Sequence, residues 1–424
     1  MPSDTSETGL EATILADMTA SGWTAGRPED YDRDHAVDLV QLRQFLAATQ
    51  EPLVESLALD RPDSPACRAF LNRLQGQIAG RGTVDVLRKG IKTGQYHVDL
   101  FYGTPTPGNA KAAERYAANR FTVTRQLRYS RDETRLALDL CLFVNGLPIG
   151  TAELKNSLTK QTAHDAEEQY KRDREPKELL FQFGRCVVHF ALDDAEARFC
   201  TELKGKASWF LPFNRGYRDG AGNPPNPDGL KTEYLWKEVL APASLTNILE
   251  SYAQVVETKD EKTGKVSRVQ IWPRYHQLDV VRRLIADAKG RGVGRRYLIQ
   301  HSAGSGKSNS IAWLTHQLLG VEREGKPAFD SVIVITDRRV LDRQIHETIK
   351  GFAQVGATVG HANQAGDLKR FLGEKAYDDD MSLVVIKWHG ISLPERLTAL
   401  DGQGLRQIEP AQPTLLSPQV QLTS

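Results

Sequence analysis

From Leu136 to Leu142 every second residue is leucine, and within ten residues the same apolar pattern resumes beyond Asn145-Gly146. A period of two builds a strand with one apolar face, which leaves Asp139 on the other face with Ala137 and Cys141. A charge on a covered face needs a partner. Asn-Gly favours a tight two-residue turn, so the chain doubles back, and the return strand sets Ile149, Thr151, Glu153 and Lys155 on one face. Any fold must therefore accommodate this hairpin.

The register adds a condition. A two-residue loop pairs Val144 with Leu147 and so sets Asp139 opposite Ala152, with Glu153 on the far face. For both carboxylates to serve one site, the hairpin needs a three-residue loop with Gly146 left-handed, or a bulge in the return strand. Two such carboxylates can hold Mg²⁺ with a phosphodiester and a water, the carbonyl of Leu154 completing the protein ligands. Lys155 would orient the attacking water and offset charge on the phosphorus centre. The same residues in an ordinary half-buried hairpin form a cross-strand ion pair. The rest of the chain has to decide between these readings.

The 424 residues suffice for two or three domains, with an ordinary 40% hydrophobic and 26% charged composition. A net charge of +1 excludes a global basic field, so any contact with nucleic acid must come from a local patch. Cys67, Cys141, Cys186 and Cys200 lack metal-ligand spacing and read as reduced core thiols. Without a signal peptide, or an apolar run approaching about 18 residues, a soluble cytoplasmic protein with no membrane contact is expected.

Residues 1–60 read as helices, with Leu10, Ile14, Leu15 and Met18 at helical spacing, and Glu11 either faces the site or, the better reading of the two, lies on a solvated face. Gln95–Tyr102 and Arg120–Tyr129 are strand-like. Thr162–Arg174 is helical and Arg185–Ala191 is a buried strand, which makes a strand-helix-strand crossover after the hairpin. Lys160, Lys171, Arg172, Arg174 and Lys177 are basic residues on that helix and its ends that could meet DNA, although they are mixed with acids as on a soluble face. The turn formers from Asp219 to Pro227 predict a surface loop, followed by an apolar helix at Tyr234–Leu240. The polar run 259–265 is the expected domain boundary.

Tyr297-Leu-Ile reads as a short strand, Gln300–Lys307 as Gln-His-Ser-Ala-Gly-Ser-Gly-Lys, and Ser308–Leu319 as a helix. Strand, glycine loop and helix in that order form a phosphate cradle. Gly304, Ser305 and Gly306 let the backbone approach phosphates, Lys307 reaches the outer ones, and the Ser308 hydroxyl can ligate Mg²⁺. The strict pattern has Gly where His301 stands. Upstream lies Arg274-Tyr-His-Gln277, and the strand Ser331–Thr336 runs into Asp337-Arg-Arg-x-Leu341-Asp342-x-Gln344. Together these resemble superfamily 2 helicases, a resemblance that assigns Gln277 to adenine and implies ATP.

The whole order, Asp139 and Glu153-x-Lys155, then Phe210-Leu-Pro-Phe-Asn-Arg-Gly216, then the phosphate loop and Asp-Arg-Arg-x-Leu-Asp-x-Gln, resembles the restriction subunit of type I restriction-modification enzymes. The resemblance implies an α/β chain: a PD-(D/E)xK-type nuclease domain of mixed sheet flanked by helices over 1–258, an incomplete RecA-like P-loop lobe over 259–395, and an irregular tail over 396–424. It also implies an ATP-dependent type I site-specific deoxyribonuclease. Asp139, Glu153 and Lys155 would be catalytic, with Mg²⁺ on Asp139, Glu153 and Ser308. The implied partners are double-stranded DNA and the methylation and specificity subunits, with cleavage coupled to ATP-driven translocation. The family's Gln-x-x-x-Tyr motif is replaced by adjacent Gln169-Tyr170. No Asp-Glu-x-His follows the strand Leu383–Lys387, so a truncated subunit without ATP turnover is expected, or a non-catalytic fragment that binds ATP or its partners.

Overall fold

The computed structural model describes residues 7–336 except 134, 157–158, 219, 260–262, 265 and 330, and beyond these 345, 348–349, 358–362, 367, 370, 383–388, 398–401 and 404–407. The chain divides into two units, Met1–Arg274 and Tyr275–Ser424. Both mix helices with strands.

In the first unit, helix α1 (Glu7–Ala20) leads to the short strand β1 (Thr24–Ala25), then α2 (Leu39–Thr49) and α3 (Pro65–Arg81). Next come β2 (Phe121–Arg128), β3 (Ala137–Val144), β4 (Leu147–Leu154), α4 (Ala163–Asp173), β5 (Val188–Leu192), β6 (Ala197–Cys200) and β7 (Leu211–Pro212). The seven strands lie side by side in chain order. β1 runs parallel to β2 and β4 parallel to β5, while the other neighbours are antiparallel. A parallel pair cannot be joined by a tight turn, so β4 and β5 need the crossover that α4 provides. That helix starts at a capping box, where the Thr162 N–H donates to Asp165 Oδ2 at 2.7 Å. Ala163, Ala166 and Tyr170 then fall on its buried stripe.

The sheet is covered on both faces. Leu140, Leu142, Ala152, Phe190 and Leu192 meet Ile14 and Met18 of α1 together with Leu235, Trp236 and Leu240. Cys141, Phe143 and Ala191 share a core with Ala166 and Tyr170 of α4, Phe181 and Cys186. Each large side chain so buried contributes roughly 1.5–3 kcal/mol. All four cysteines are free and buried, in keeping with core thiols. Among the described residues no helix is long and apolar enough to cross a membrane.

Several local expectations need correction. Of Gln95–Tyr102 only Tyr96–Val98 is a strand, and it pairs with Ile91–Thr93 in a separate ribbon outside the main sheet. The apolar run after Tyr234 forms a π-turn, Leu235–Val239. The first unit itself runs on to Arg274. Strands β8 (Gln254–Lys259) and β9 (Val266–Ile271) pair along their whole length, and the Gln270 amide in β9 donates to the carbonyls of Cys186 and Thr201 at 2.6 and 3.0 Å. These bonds tie both sides of the polar run to the first unit.

The second unit holds α5 (Tyr275–Arg291), α6 (Lys307–Leu319) and a parallel sheet of β10 (Ser331–Thr336), β11 (Thr358–Ala362) and β12 (Leu383–Trp388), with β12 in the middle. Tyr297–Ile299 is not a strand. It pairs with no described segment, and Leu298 is 72% exposed, so the run lacks the ladder that would hold it extended. The Asp337–Gln344 motif and most of the tail lie outside the described residues.

Candidate functional site

The hairpin carries the irregularity that its parity requires. Asn145 and Gly146 both have positive φ, 53° and 82°, as a two-residue turn with matching twist demands, and Val144 pairs with Leu147. Phe143 still faces Pro148, but Leu142 faces Gly150, so Ile149 is an extra residue in β4. Its carbonyl is satisfied by the Val187 N–H, just before β5, at 2.8 Å. Beyond the bulge Cys141 pairs with Thr151 and Leu140 with Ala152. Continued one step, this register sets Asp139 opposite Glu153, and the two share a face. The bulge lies in the return strand, the second of the two irregularities that parity allows.

Asp139 is part-buried and fixed at both oxygens. Oδ2 accepts from the Leu154 N–H at 2.8 Å and Oδ1 from Gln126 Nε2 at 3.3 Å. Glu153 is fully buried, and Oε1 accepts from Arg174 Nε at 2.6 Å. Its other oxygen, Oε2, is buried without a hydrogen-bond partner. Burial pushes the Glu153 carboxyl up to about 8 against the pull of the Arg174 guanidinium, with Asp139 adding to the rise and Lys155 opposing it. Lys155 follows the end of β4, its N–H donating to the Leu192 carbonyl at 2.9 Å, and its charge is felt by both Glu153 and Asp165. The structure thus brings Asp139, Glu153 and Lys155 together.

Arg174 is not a surface contact for DNA. It is buried at the end of α4, where it also donates to the Ala137 carbonyl at 2.8 Å and to the Tyr129 hydroxyl, so it pins the start of β3 to Glu153. Lys171 and Arg172 are likewise engaged, with Glu167 and Glu168. Tyr170 points into the core, its hydroxyl 2.7 Å from Thr151 Oγ1, which in turn meets His189 Nδ1 at 2.8 Å. It braces β4 two residues before Glu153.

Of the two placements open to Glu11, the solvated face is the one that fails, and the side chain lies toward Asp139. It is 7% exposed rather than solvated, pairs with Arg125 Nε at 3.1 Å and accepts from Gln126 Nε2 at 3.1 Å. Burial raises its carboxyl pKa, and the nearby Asp139 charge adds to the rise. Helical spacing could not place Glu11, because its partners come from β2, more than a hundred residues away.

Two observations bear on whether a divalent cation fits. The Asp139 charge acts on Glu153 across the hairpin, and Glu153 presents a buried oxygen that no protein donor satisfies. Against this, among the described residues no group of three or more His, Cys, Asp and Glu side chains is arranged to hold a metal. The donor set therefore suits an ion that keeps several waters and takes only two carboxylates and a carbonyl from the protein, which is the habit of Mg²⁺.

In the second unit Gly304 and Gly306 have φ of 75° and 79°, and Gly306 caps the N-terminus of α6. Lys307 Nζ lies on the loop's own carbonyls, at 3.1 Å from His301 O and 2.8 Å from Ser302 O, while Ser308 opens the helix beside it. Ser305 is buried with its Oγ unpartnered. The Gln277 amide donates to the carbonyls of Ser305 and Gly306 at 3.1 and 2.8 Å, so in this state it braces the loop. A Cβ on Gly306 would stand 2.3 Å from that amide nitrogen.

Residues 5–208 match the family described as the type I restriction enzyme R protein N terminus, and residues 276–399 match the SWI2/SNF2 ATPase family. The type I restriction enzyme HindI endonuclease subunit of Haemophilus influenzae is 24% identical over 361 residues, 81% of this chain and 32% of that protein. The putative type I restriction enzyme MjaVIIIP endonuclease subunit of Methanocaldococcus jannaschii is 24% identical over 243 residues, 54% of this chain and 21% of that protein. The chain thus spans about a third or less of the length of these relatives.

Proposed function

This chain belongs to the R-protein family of type I restriction enzymes, and on that footing we propose that its first unit is a PD-(D/E)xK-type nuclease that cuts DNA phosphodiesters at Asp139, Glu153 and Lys155. The observation that carries the reading is the bulge at Ile149. It spends one residue of a buried strand to turn Glu153 toward Asp139, and it leaves Glu153 Oε2 buried without a donor. A merely structural hairpin has no need of a buried carboxylate with half its acceptors unmet.

Asp139, Glu153 and the Leu154 carbonyl would hold Mg²⁺. When bound, the ion supplies Lewis acidity toward the phosphate and makes a water more acidic. The chain's own groups do the rest. Arg174 fixes the direction of Glu153, Leu154 N–H fixes Asp139, and Lys155 brings positive charge to the edge of the pair, where it orients a water and offsets charge gathering on the phosphoryl oxygens.

The second unit is proposed as a RecA-like lobe that binds ATP through Gly304, Ser305, Gly306, Lys307 and Ser308, with Gln277 at the adenine side. In the complete enzyme this lobe would drive translocation along double-stranded DNA, in a cytoplasmic complex with methylation and specificity subunits. The test is nicking of supercoiled plasmid by the 424-residue chain in Mg²⁺. Asp139→Asn and Lys155→Ala are expected to lower nicking at least about 100-fold, as loss of a group acting on developing charge does. Lys307→Ala should leave nicking unchanged. Nicking that persists in Asp139→Asn, or that proceeds in EDTA, overturns the assignment.

A further inference from the structure

Gln126 lies in the middle of β2, where the pairing of Arg125 with Leu140 and of Leu127 with Leu138 sets it opposite Asp139. Its φ is +47°, a left-handed conformation that is uncommon for a residue with a side chain and is foreign to a strand. The neighbours show the effect. Arg125 is 40% exposed at its side chain and turns to Glu11, whereas Leu127, two residues on, is fully buried in the core with Tyr129 and Cys141. Residues two apart in a regular strand share a face. The left-handed residue breaks that rule and brings its own side chain out between Glu11 and Asp139.

The carboxamide then donates from one nitrogen to two carboxylates, to Glu11 Oε2 at 3.1 Å and to Asp139 Oδ1 at 3.3 Å. A primary amide has two N–H groups on that nitrogen, one for each acceptor. Glu11 is itself fixed by Arg125, and the far oxygen of Asp139 is fixed by Leu154 N–H. The Asp139 carboxylate is thereby held at both ends, once by the strand that carries Glu153 and once by a relay running Arg125, Glu11, Gln126. The amide is exposed, so these bonds add little to stability, and their effect is on direction.

Resting on the nuclease reading above, we propose that Gln126 is a positioning residue for that centre: anchored by Glu11, its amide sets the orientation in which Asp139 meets a divalent cation. It touches neither ion nor substrate. Partners that orient a metal ligand in this way typically change affinity by about 10- to 100-fold when removed.

The test compares Gln126→Gly, Gln126→Asn, Glu11→Ala and the Glu11→Ala/Gln126→Gly pair in the full chain, with Mn²⁺ as the probe. Glycine removes the amide but accepts the backbone conformation, so Gln126→Gly should melt at or above the wild-type temperature. It should nevertheless bind Mn²⁺ roughly 10-fold more weakly by electron paramagnetic resonance, with nicking that needs correspondingly more Mg²⁺ and a maximal rate changed less. Gln126→Asn, too short to reach both carboxylates, should not recover the affinity. The double variant should be no weaker than Gln126→Gly alone, because both act through one relay. Unchanged Mn²⁺ affinity in Gln126→Gly, or additive losses in the pair, overturns the proposal.

A second readout does not involve the ion. Hydrogen exchange at the Leu154 amide, whose acceptor is Asp139, should speed up in Gln126→Gly. If wild type binds no Mn²⁺ while this exchange still responds, the nuclease reading falls and the positioning role stands. If the exchange does not respond, the positioning role falls whatever the metal result.

Discussion

Raising the pH from 6 to 9 is expected to lower the melting temperature of the metal-free chain, and Glu153→Gln to remove most of that response. The cause is the buried carboxyl held up to about 8 against its ordinary 4.5. Because the folded-state value lies above the unfolded one, the contribution to stability is fully present below about 4.5 and is lost as the pH rises through about 8. Between pH 6 and 9 the loss is roughly 2–3 kcal/mol, worth about 5 °C or more for a unit of this size. Mg²⁺ should act in the opposite sense. It needs the ionised carboxylate, so at pH 6 it must displace a proton, whereas at pH 9 it binds directly and stabilises by about 2.7 kcal/mol at a hundred times its Kd. Differential scanning calorimetry at pH 6, 7.5 and 9, with and without Mg²⁺, reads both effects. Equal pH slopes in wild type and Glu153→Gln would show that another group is responsible, and equal Mg²⁺ stabilisation at pH 6 and 9 would remove Glu153 from the ligand set.

How much of this was legible in the chain depends on whether the controlling interaction is local. Parity is local: alternating leucines, an Asn-Gly turn and two carboxylates on opposite parities leave only a longer loop or a bulge, and Ile149 supplies the bulge. The capping box of α4 and the glycines of the phosphate loop are equally local. Glu11 was misplaced because a charged residue on the border of an apolar helical stripe is buried only if distant partners meet it, and these are Arg125 and Gln126. Arg174 looked like one more base on a mixed helix, yet the side chain it meets is Glu153, 21 positions back. Gln126 carried no signal at all, since a left-handed glutamine is imposed by its surroundings and no propensity announces it. Tyr297–Ile299 failed for the converse reason: a β-prone triplet becomes a strand only beside another strand.

Gly146→Ala should be the most damaging single-methyl substitution in the hairpin, costing roughly 2–5 kcal/mol. Two effects combine. The residue has φ +82°, where a side chain meets its own backbone, at about 1–2 kcal/mol. The added Cβ would also stand 2.3 Å from Asp38 O, 2.6 Å from Leu42 N and 2.8 Å from Leu42 Cβ. Two of these are backbone atoms around the start of α2, where Asp38 caps the helix by accepting from the Gln41 N–H at 3.0 Å and donates its own N–H to Gly146 O at 2.8 Å. They cannot swing aside as the end of a flexible side chain could, so either α2 moves or the turn opens. An opened turn also releases the register that holds Glu153 opposite Asp139, so nicking should fail in whatever fraction still folds. Gly94→Ala is the control. Its φ of +57° is also left-handed, but nothing lies within 4 Å of its Cβ, so it should show the backbone strain alone. Urea denaturation of the two variants separates the contributions, and equal losses of stability in both would show that contact with the start of α2 adds nothing to the cost at Gly146.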